Sequence, residues 1–128
     1  MDTPALNDDR LRNCPDRPKC ISSDARDRRR WVAPLSIAGE VGTAWRTTRE
    51  VVTGLPRTRV VAESDDYLHV EIRSLVFRFI DDLELHLRPQ KRLVALRSSS
   101  RIGYSDLGVN RRRIERLRHT LRLLGVVD

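Results

Sequence analysis

The chain has 128 residues, of which 39% are hydrophobic and 34% are charged, and its net charge at pH 7 is +7. These values exclude a disordered chain and fit a single domain over residues 1–128 with its own core. No apolar run approaches the roughly 20 residues that span a bilayer. The polar first twenty residues do not resemble a secretory signal. We therefore expect a soluble protein without a transmembrane segment. Without a visible signal, the expected location is the cytoplasm.

The basic charge of the chain favours acidic partners through long-range attraction. Arginine accounts for 23 of the 25 basic residues, a bias that a G+C-rich coding sequence also produces. Basic charge alone gives only a salt-sensitive affinity for nucleic acid. The aromatic content of 5% argues against a base-stacking surface. An acidic small molecule or protein is therefore the expected partner, nucleic acid is a weaker alternative, and no cofactor is indicated.

The N-terminal segment, residues 1–34, is predicted to be irregular, because it holds four of the six prolines and a run of charged residues. Within it, Cys14 and Cys20 are separated by five residues, two of them proline. A disulfide here would close a small loop and would imply an oxidising, extracytoplasmic compartment. Two free thiols are the alternative for a cytosolic chain, and a metal site lacks further ligands nearby.

A helix is predicted from about Ile37 to Leu55, because apolar residues recur three and four positions apart. Gly54 and Pro56 end this element. The period then changes to two, and residues 57–63 alternate loosely as a first strand.

Three more strands and a second helix are predicted in the rest of the chain. The segment 76–88 is interpreted as one long strand or two short ones, in which Phe77 and Phe79 share a face with three leucines. Ser105 is a plausible N-cap for the second helix, whose apolar stripe runs from Leu107 to Leu124. The predicted boundaries are 67–73, 76–88 and 93–99 for the strands and 106–124 for the helix.

The order helix, four strands, helix predicts an α+β fold over residues 37–124. We expect an antiparallel sheet of about four strands, two helices packed on one face, and an irregular N-terminal segment. The opposite face would carry polar residues of both charges. They would either form exposed cross-strand ion pairs or make up a surface that binds a partner. The predicted residues of this face are His69, Glu71, Arg73, Arg78, Glu84, His86 and Arg97.

The richest polar segment connects the last strand to the last helix. Hydroxyls, guanidinium groups and the N–H groups of a helix N-terminus would converge there, which suits an anion or a polar ligand. The alternative is an internal network of Asn, Ser, Arg and Asp side chains that ties the strand to the helix, since Asn110 falls on the apolar stripe. The candidate residues are Arg97, Ser98, Ser100, Arg101, Gly103, Ser105, Asp106, Asn110 and Arg113.

A second candidate is the acidic cluster Asp81, Asp82 and Glu84. Together with His86 it could serve acid–base or divalent-metal chemistry. The alternative is a bulge or turn between strands, with Asp81 paired to Arg101 or Arg113. No histidine or cysteine spacing fits a metal motif, so no metal site is assigned.

Three blocks of the sequence resemble the bacterial and plastid family called domain of unknown function 1499. They are Cys14-Pro-Asp-Arg-Pro-Lys-Cys-Ile-Ser-Ser23, Tyr67-Leu-His-Val-Glu-Ile-Arg-Ser74 with Phe77-Arg-Phe-Ile-Asp-Asp-Leu-Glu84, and the run from Arg97 to Arg118. The resemblance covers about Asn13 to Arg118. It implies little about function, because the family is uncharacterised, and it implies export for many members, whereas no leader is visible here.

We expect a non-catalytic binding or interaction module with a polar or anion site where the last strand meets the last helix. A small hydrolase or metal-dependent enzyme using Asp81, Asp82 and His86 is the alternative. Nucleic-acid binding through the basic C-terminal helix is the third hypothesis.

Overall fold

The computed structural model describes residues 6–7 and 10–128. The strands are β1 (Leu6–Asn7), β2 (Arg10–Leu11), β3 (Cys20–Ser22), β4 (Leu35–Ser36), β5 (Thr58–Glu63), β6 (Tyr67–Arg73), β7 (Ile80–Arg88) and β8 (Leu93–Ser100). The helices are α1 (Val41–Thr53) and α2 (Val109–Leu123), and short 3-10 turns lie at Arg28–Arg30 and Pro89–Lys91.

The main sheet is antiparallel and has six strands. β5, β6, β7 and β8 follow one another as a meander, and the far edge of β8 pairs with both β3 and β4. The predicted α+β fold is therefore confirmed, with two strands more than expected. Both extra strands are two or three residues long, so they carry no readable periodicity, and pairing with β8 stabilises them. The prediction of an irregular segment also covers residues 1–5 and 8–9, which lie outside the described residues.

The main core lies between the sheet and the two helices. Strand alternation places Val70, Leu83 and Ser98 side by side on the helix-facing side of three neighbouring strands. Val52 of α1 and Ile114 of α2 are fully buried against this side. Both helices thus cover one face of the sheet, as predicted. In the described residues, no helix combines the length and the apolar character that crossing a bilayer requires.

The opposite face is not an open surface, because the N-terminal segment crosses it. Leu11 packs there against Tyr67 and Ala95 in a small second core. Glu84 and Arg97 beneath this cover are buried, as is His86 at its margin, although exposure was expected for all three. The expectation of exposure was wrong because Leu11 packs on this face and Arg12 reaches Glu84 across it.

The predicted strand 76–88 begins only at Ile80. Residues 74–79 form a loop instead, closed by hydrogen bonds between Ser74 and Phe79 in both directions. Arg78, expected on the sheet face, lies in this loop with φ of 57°, a left-handed conformation that ends strand geometry. Phe77 is 73% exposed and does not join the core.

Helix α2 begins three residues later than predicted, at Val109. Leu107 and Gly108 both have left-handed backbones, with φ of 54° and 83°, so the helix cannot extend through them. Ser105 is not the N-cap; its hydroxyl accepts the N–H of Leu107. Leu107 is consequently 82% exposed rather than part of the apolar stripe, and Leu124 at the other end is also exposed.

Candidate functional site

Asn110 is the centre of the junction between β8 and α2, and it is fully buried. Its Oδ1 accepts hydrogen bonds from Ser98 Oγ at 2.6 Å and Arg113 Nη1 at 2.9 Å. Its Nδ2 donates to Asp106 Oδ2 at 2.7 Å and Ser100 Oγ at 2.9 Å. Both ends of the amide are therefore satisfied by the chain itself.

The charged groups of the junction are also engaged internally. Arg113 Nη2 donates to Asp81 Oδ2 at 2.8 Å, which joins α2 to the first residues of β7. Asp106 accepts the backbone N–H of Gly108 and of Asn110, so a carboxylate already occupies the N-terminus of α2. These contacts form the internal Asn–Ser–Arg–Asp network and leave no free donor for an anion at its centre.

Arg101 lies on the other side of the sheet, where it joins two carboxylates. Its guanidinium donates to both oxygens of Asp82 at 2.8 Å and to Glu71 Oε2 at 2.6 Å. Burial alone would raise the pKa of Asp82. The hydrogen bonds from Arg101 and His69 outweigh burial, and this pKa lies well below its usual range. Hydrogen bonds from Arg101 and Arg59 lower the pKa of Glu71 in the same way.

A second buried network holds the N-terminal segment on the sheet. Glu84 is fully buried and accepts hydrogen bonds from Tyr67 Oη at 2.6 Å and from Arg97 and Arg12 at 3.0 Å each. Arg97 also donates to the carbonyl oxygens of Arg12 and Asn13. Burial and the Glu84 carboxylate raise the pKa of Tyr67, whereas burial lowers the pKa of Arg97.

The predicted ligand residues thus divide between the two faces of the sheet. Ser98 and Ser100 face the helices, together with Asp106, Asn110 and Arg113. Arg97 and Arg101 act on the opposite face. Gly103 and Ser105 lie in the exposed connecting loop. Because side chains alternate along a strand, residues that are neighbours in the sequence of this segment lie on opposite faces of the sheet.

The acidic cluster divides in the same way. Asp81 faces α2, whereas Asp82 and Glu84 face the N-terminal cover. His86 contacts Asp66 Oδ2 at 3.4 Å and accepts from Arg88 Nε at 3.2 Å, and it lies four residues, about 13 Å, along the strand from Asp82. The residues of the enzyme hypothesis are therefore not brought to one point. The described part of the chain holds no group of three or more His, Cys, Asp or Glu side chains placed to bind a metal ion.

The basic face of α2 is mostly tied to its own chain. Arg118 is buried and donates to the carbonyl oxygens of Ala33 and Pro34 as well as to Glu115. Hydrogen bonds within the chain are also donated by Arg111, Arg112, Arg113 and Arg122. In the described residues, only Arg113 and Arg118 of this helix pair with carboxylates. Arg111, Arg112 and Arg122 donate to backbone oxygens and keep their charge exposed.

Cys14 and Cys20 form a disulfide, with their Cα atoms 5.6 Å apart. The loop that it closes supports the β8–α2 connection. The carbonyl oxygen of Pro18 accepts the N–H of Asp106, and Arg17 lies 5.4 Å from the ring centroid of Tyr104. The disulfide loop therefore holds the connection from outside, as the Asn110 network does from inside.

Sequence reasoning missed an apolar surface at this end of the sheet. Loops 74–79 and 101–108 are adjacent there, because Arg101 N–H donates to the carbonyl of Ile80. We call them together the loop-end surface. Three consecutive apolar residues in the first loop were the available signal, since an alternating strand would not show them. Exposed between 45% and 82% are Leu75, Val76, Phe77, Phe79, Ile102, Tyr104 and Leu107.

The fold and these networks define an α+β module whose antiparallel sheet carries two helices on one face and an N-terminal cover on the other. The chain belongs to the family described as "Protein of unknown function (DUF1499)", whose family model matches residues 10–121. This match confirms the resemblance found in the sequence. No curated protein and no solved structure matches the chain significantly.

Proposed function

We propose that the chain is a non-catalytic binding module whose contact surface is the loop-end surface, where β8 passes into α2. The observation that carries the proposal is the exposure of seven large apolar side chains in two adjacent loops. Monomeric proteins rarely leave so many large apolar side chains exposed at one end of a sheet unless they meet a partner.

The polar residues of the junction support this proposal as a scaffold rather than as the ligand site. Their donors and acceptors point into the Asn110 network and the Arg101 ion pairs, so they fix the loops that carry the apolar side chains. A pre-ordered loop loses less conformational entropy on binding, which favours affinity.

The disulfide between Cys14 and Cys20 supports an extracytoplasmic site of action, because disulfides persist in oxidising compartments. Alkylation of intact cells, followed by reduction and a second alkylation, tests this. We expect both thiols to be protected from the first reagent. Labelling of both thiols before reduction would contradict it.

Site-specific photocrosslinking tests the contact surface in cells. A benzoylphenylalanine placed at Phe77 reports from the loop-end surface, and one placed at Leu123 is the matched control. The two side chains are 73% and 75% exposed, but Leu123 lies at the far end of α2, about 20 Å along the helix from the end that follows loop 101–108. We expect adducts of protein or lipid at position 77 only. Equal labelling at both positions, or none, would refute the proposal.

A further inference from the structure

We propose that the partner of the loop-end surface is an anionic phospholipid bilayer, an inference that rests on the function proposed above. The apolar tip of loop 74–79 enters the bilayer interface. Lipid phosphate groups bind an arginine-lined cleft directly beside it.

The cleft has a volume of about 320 Å³ and lies where β5 begins and β6 ends. Four arginines and two hydroxyl side chains line it, and no carboxylate does. Guanidinium groups bind phosphate through paired N–H donors, which an ammonium group cannot do in the same plane. The polar lining residues are Arg57, Arg59, Arg73, Arg78, Thr58 and Ser74.

Most of the charge in this cleft is not neutralised. Arg59 is paired with Glu71 at 2.9 Å, and that carboxylate also serves Arg101. Among the described residues, no carboxylate forms an ion pair with the other three arginines of the cleft. Within the part of the chain that the structure describes, three unpaired guanidinium groups therefore line one cleft without a carboxylate among them.

Two of the cleft arginines have unfavourable backbones. Arg57 and Arg78 adopt φ angles of 56° and 57°, in the left-handed region that costs energy for a residue with a Cβ. Such conformations concentrate at binding sites, where the surrounding structure holds them in place. Here both line the same cleft.

The apolar loop continues directly from the cleft. Ser74 lines the cleft, and the next three residues, Leu75, Val76 and Phe77, are more than 70% exposed. The ring of Phe77 stacks on Phe79 with centroids 5.4 Å apart, so the tip is a compact apolar unit. Apolar tips flanked by arginines suit a bilayer interface, where the side chains enter the acyl boundary and the guanidinium groups remain at phosphate depth.

A bilayer fits this surface better than a second copy of the chain. A protein partner would need a groove that matches the exposed side chains of both loops, whereas a bilayer interface accepts exposed apolar side chains without one. A second copy would also bring its own unneutralised arginines against those of the first. An anionic leaflet supplies the opposite charge over the whole contact.

Vesicle sedimentation of the full chain tests the inference. We expect binding to vesicles of phosphatidylcholine and phosphatidylglycerol in equal parts, weakening with salt, and little binding to phosphatidylcholine alone. Phe77→Ser should lower the partition coefficient by roughly tenfold or more, because it removes an aromatic side chain that the bilayer would bury. Arg73→Gln and Arg78→Asn should each lower it roughly fivefold. Asparagine tolerates the left-handed backbone at position 78, so the fold is kept.

The matched controls are Leu123→Ser for the apolar change and Lys91→Gln for the charge change. Both residues are exposed at the opposite end of the sheet and should leave binding unchanged. Circular dichroism and thermal unfolding verify that all variants are folded.

Two results would overturn the inference. One is no binding to anionic vesicles, and the other is equal loss in the loop and control variants. A third result is that the protein fails to bind anionic vesicles while the crosslinker at position 77 captures a protein, or while ultracentrifugation shows a dimer that depends on the loop. In that case the bilayer is the wrong partner, and the loop-end surface is still a contact surface. If position 77 also captures nothing, the proposed function fails with it.

Discussion

Arg101 and Asp82 form a two-point ion pair, in which Nε and Nη2 of the arginine each lie 2.8 Å from a different carboxylate oxygen. The same Nη2 reaches Glu71 at 2.6 Å. The first residue after β8 is therefore fixed to both β7 and β6, which sets where loop 101–108 leaves the sheet.

Removal of this ion pair should change stability and its dependence on pH. Arg101→Ala should lower the free energy of unfolding at pH 7 by about 1–2 kcal/mol, because two partly buried carboxylates lose their partner. The folded-state pKa values of Asp82 and Glu71 are depressed. Their contribution is therefore complete above about pH 4–5 and is lost as the pH falls below that range.

Urea titrations at neutral and acidic pH measure both effects. The wild type should lose more stability on acidification than Arg101→Ala does. Arg101→Lys is the matched control, since it keeps the charge without the two-point geometry, and it should fall between the two. Parallel pH profiles of the free energy of unfolding for wild type and Arg101→Ala would contradict a stabilising role of the Arg101 ion pairs.

Asn110→Ala should destabilise the protein by about 2–3 kcal/mol, because buried Ser98 on β8 and half-buried Asp106 just before α2 lose a hydrogen bond together. Ser105→Ala in the exposed loop is the control and should change stability by about 0.5 kcal/mol or less. Equal, small effects in chemical denaturation would show that the Asn110 network does not hold the junction.

Tyr67 should stay protonated until the protein unfolds in alkali. Burial and the hydrogen bond to Glu84 raise its pKa, so the folded state keeps a proton that the unfolded state releases, and stability falls as the pH rises above about 10. The variant Tyr104→Phe leaves Tyr67 as the only tyrosine. Its phenolate absorbance should appear together with the loss of circular dichroism, and an earlier appearance would disprove the burial.

The double variant Cys14→Ser, Cys20→Ser should lower stability by about 2 kcal/mol, the chain-entropy effect of a short closed loop. Because the disulfide loop contacts loop 101–108, amide exchange at Asp106 should also accelerate. The amides of β6, far from this loop in the sheet, are the internal reference. Unchanged amide exchange at Asp106 would show that the disulfide does not stabilise loop 101–108 of the loop-end surface.

The sheet meander was predictable because its strands alternate cleanly. Leu68, Val70 and Ile72 repeat with period two, and the structure places them on the core side. Residues 76–79 were mistaken for strand because their apolar side chains have the composition of a buried element while lying exposed. Composition reports what a residue would gain by burial, not whether anything covers it.

The candidate site was predicted as one cluster, whereas the structure separates it into two. Sequence proximity of Arg97 and Ser98 concealed their opposite directions, although strand alternation was already evident. The N-terminal cover was harder to foresee. Its contact between Arg12 and Glu84 joins residues 72 positions apart, and no local pattern encodes such a pairing.

The central place of β8 has a consequence for the order of folding during synthesis. β8 pairs with β3, β4 and β7, yet it begins only at Leu93. A nascent chain emerges N-terminus first, so the cysteine loop, β3 and β4 wait for a partner strand that the ribosome makes only after β5, β6 and β7. The early segment must therefore stay soluble by itself, and its charge and prolines suit that interval.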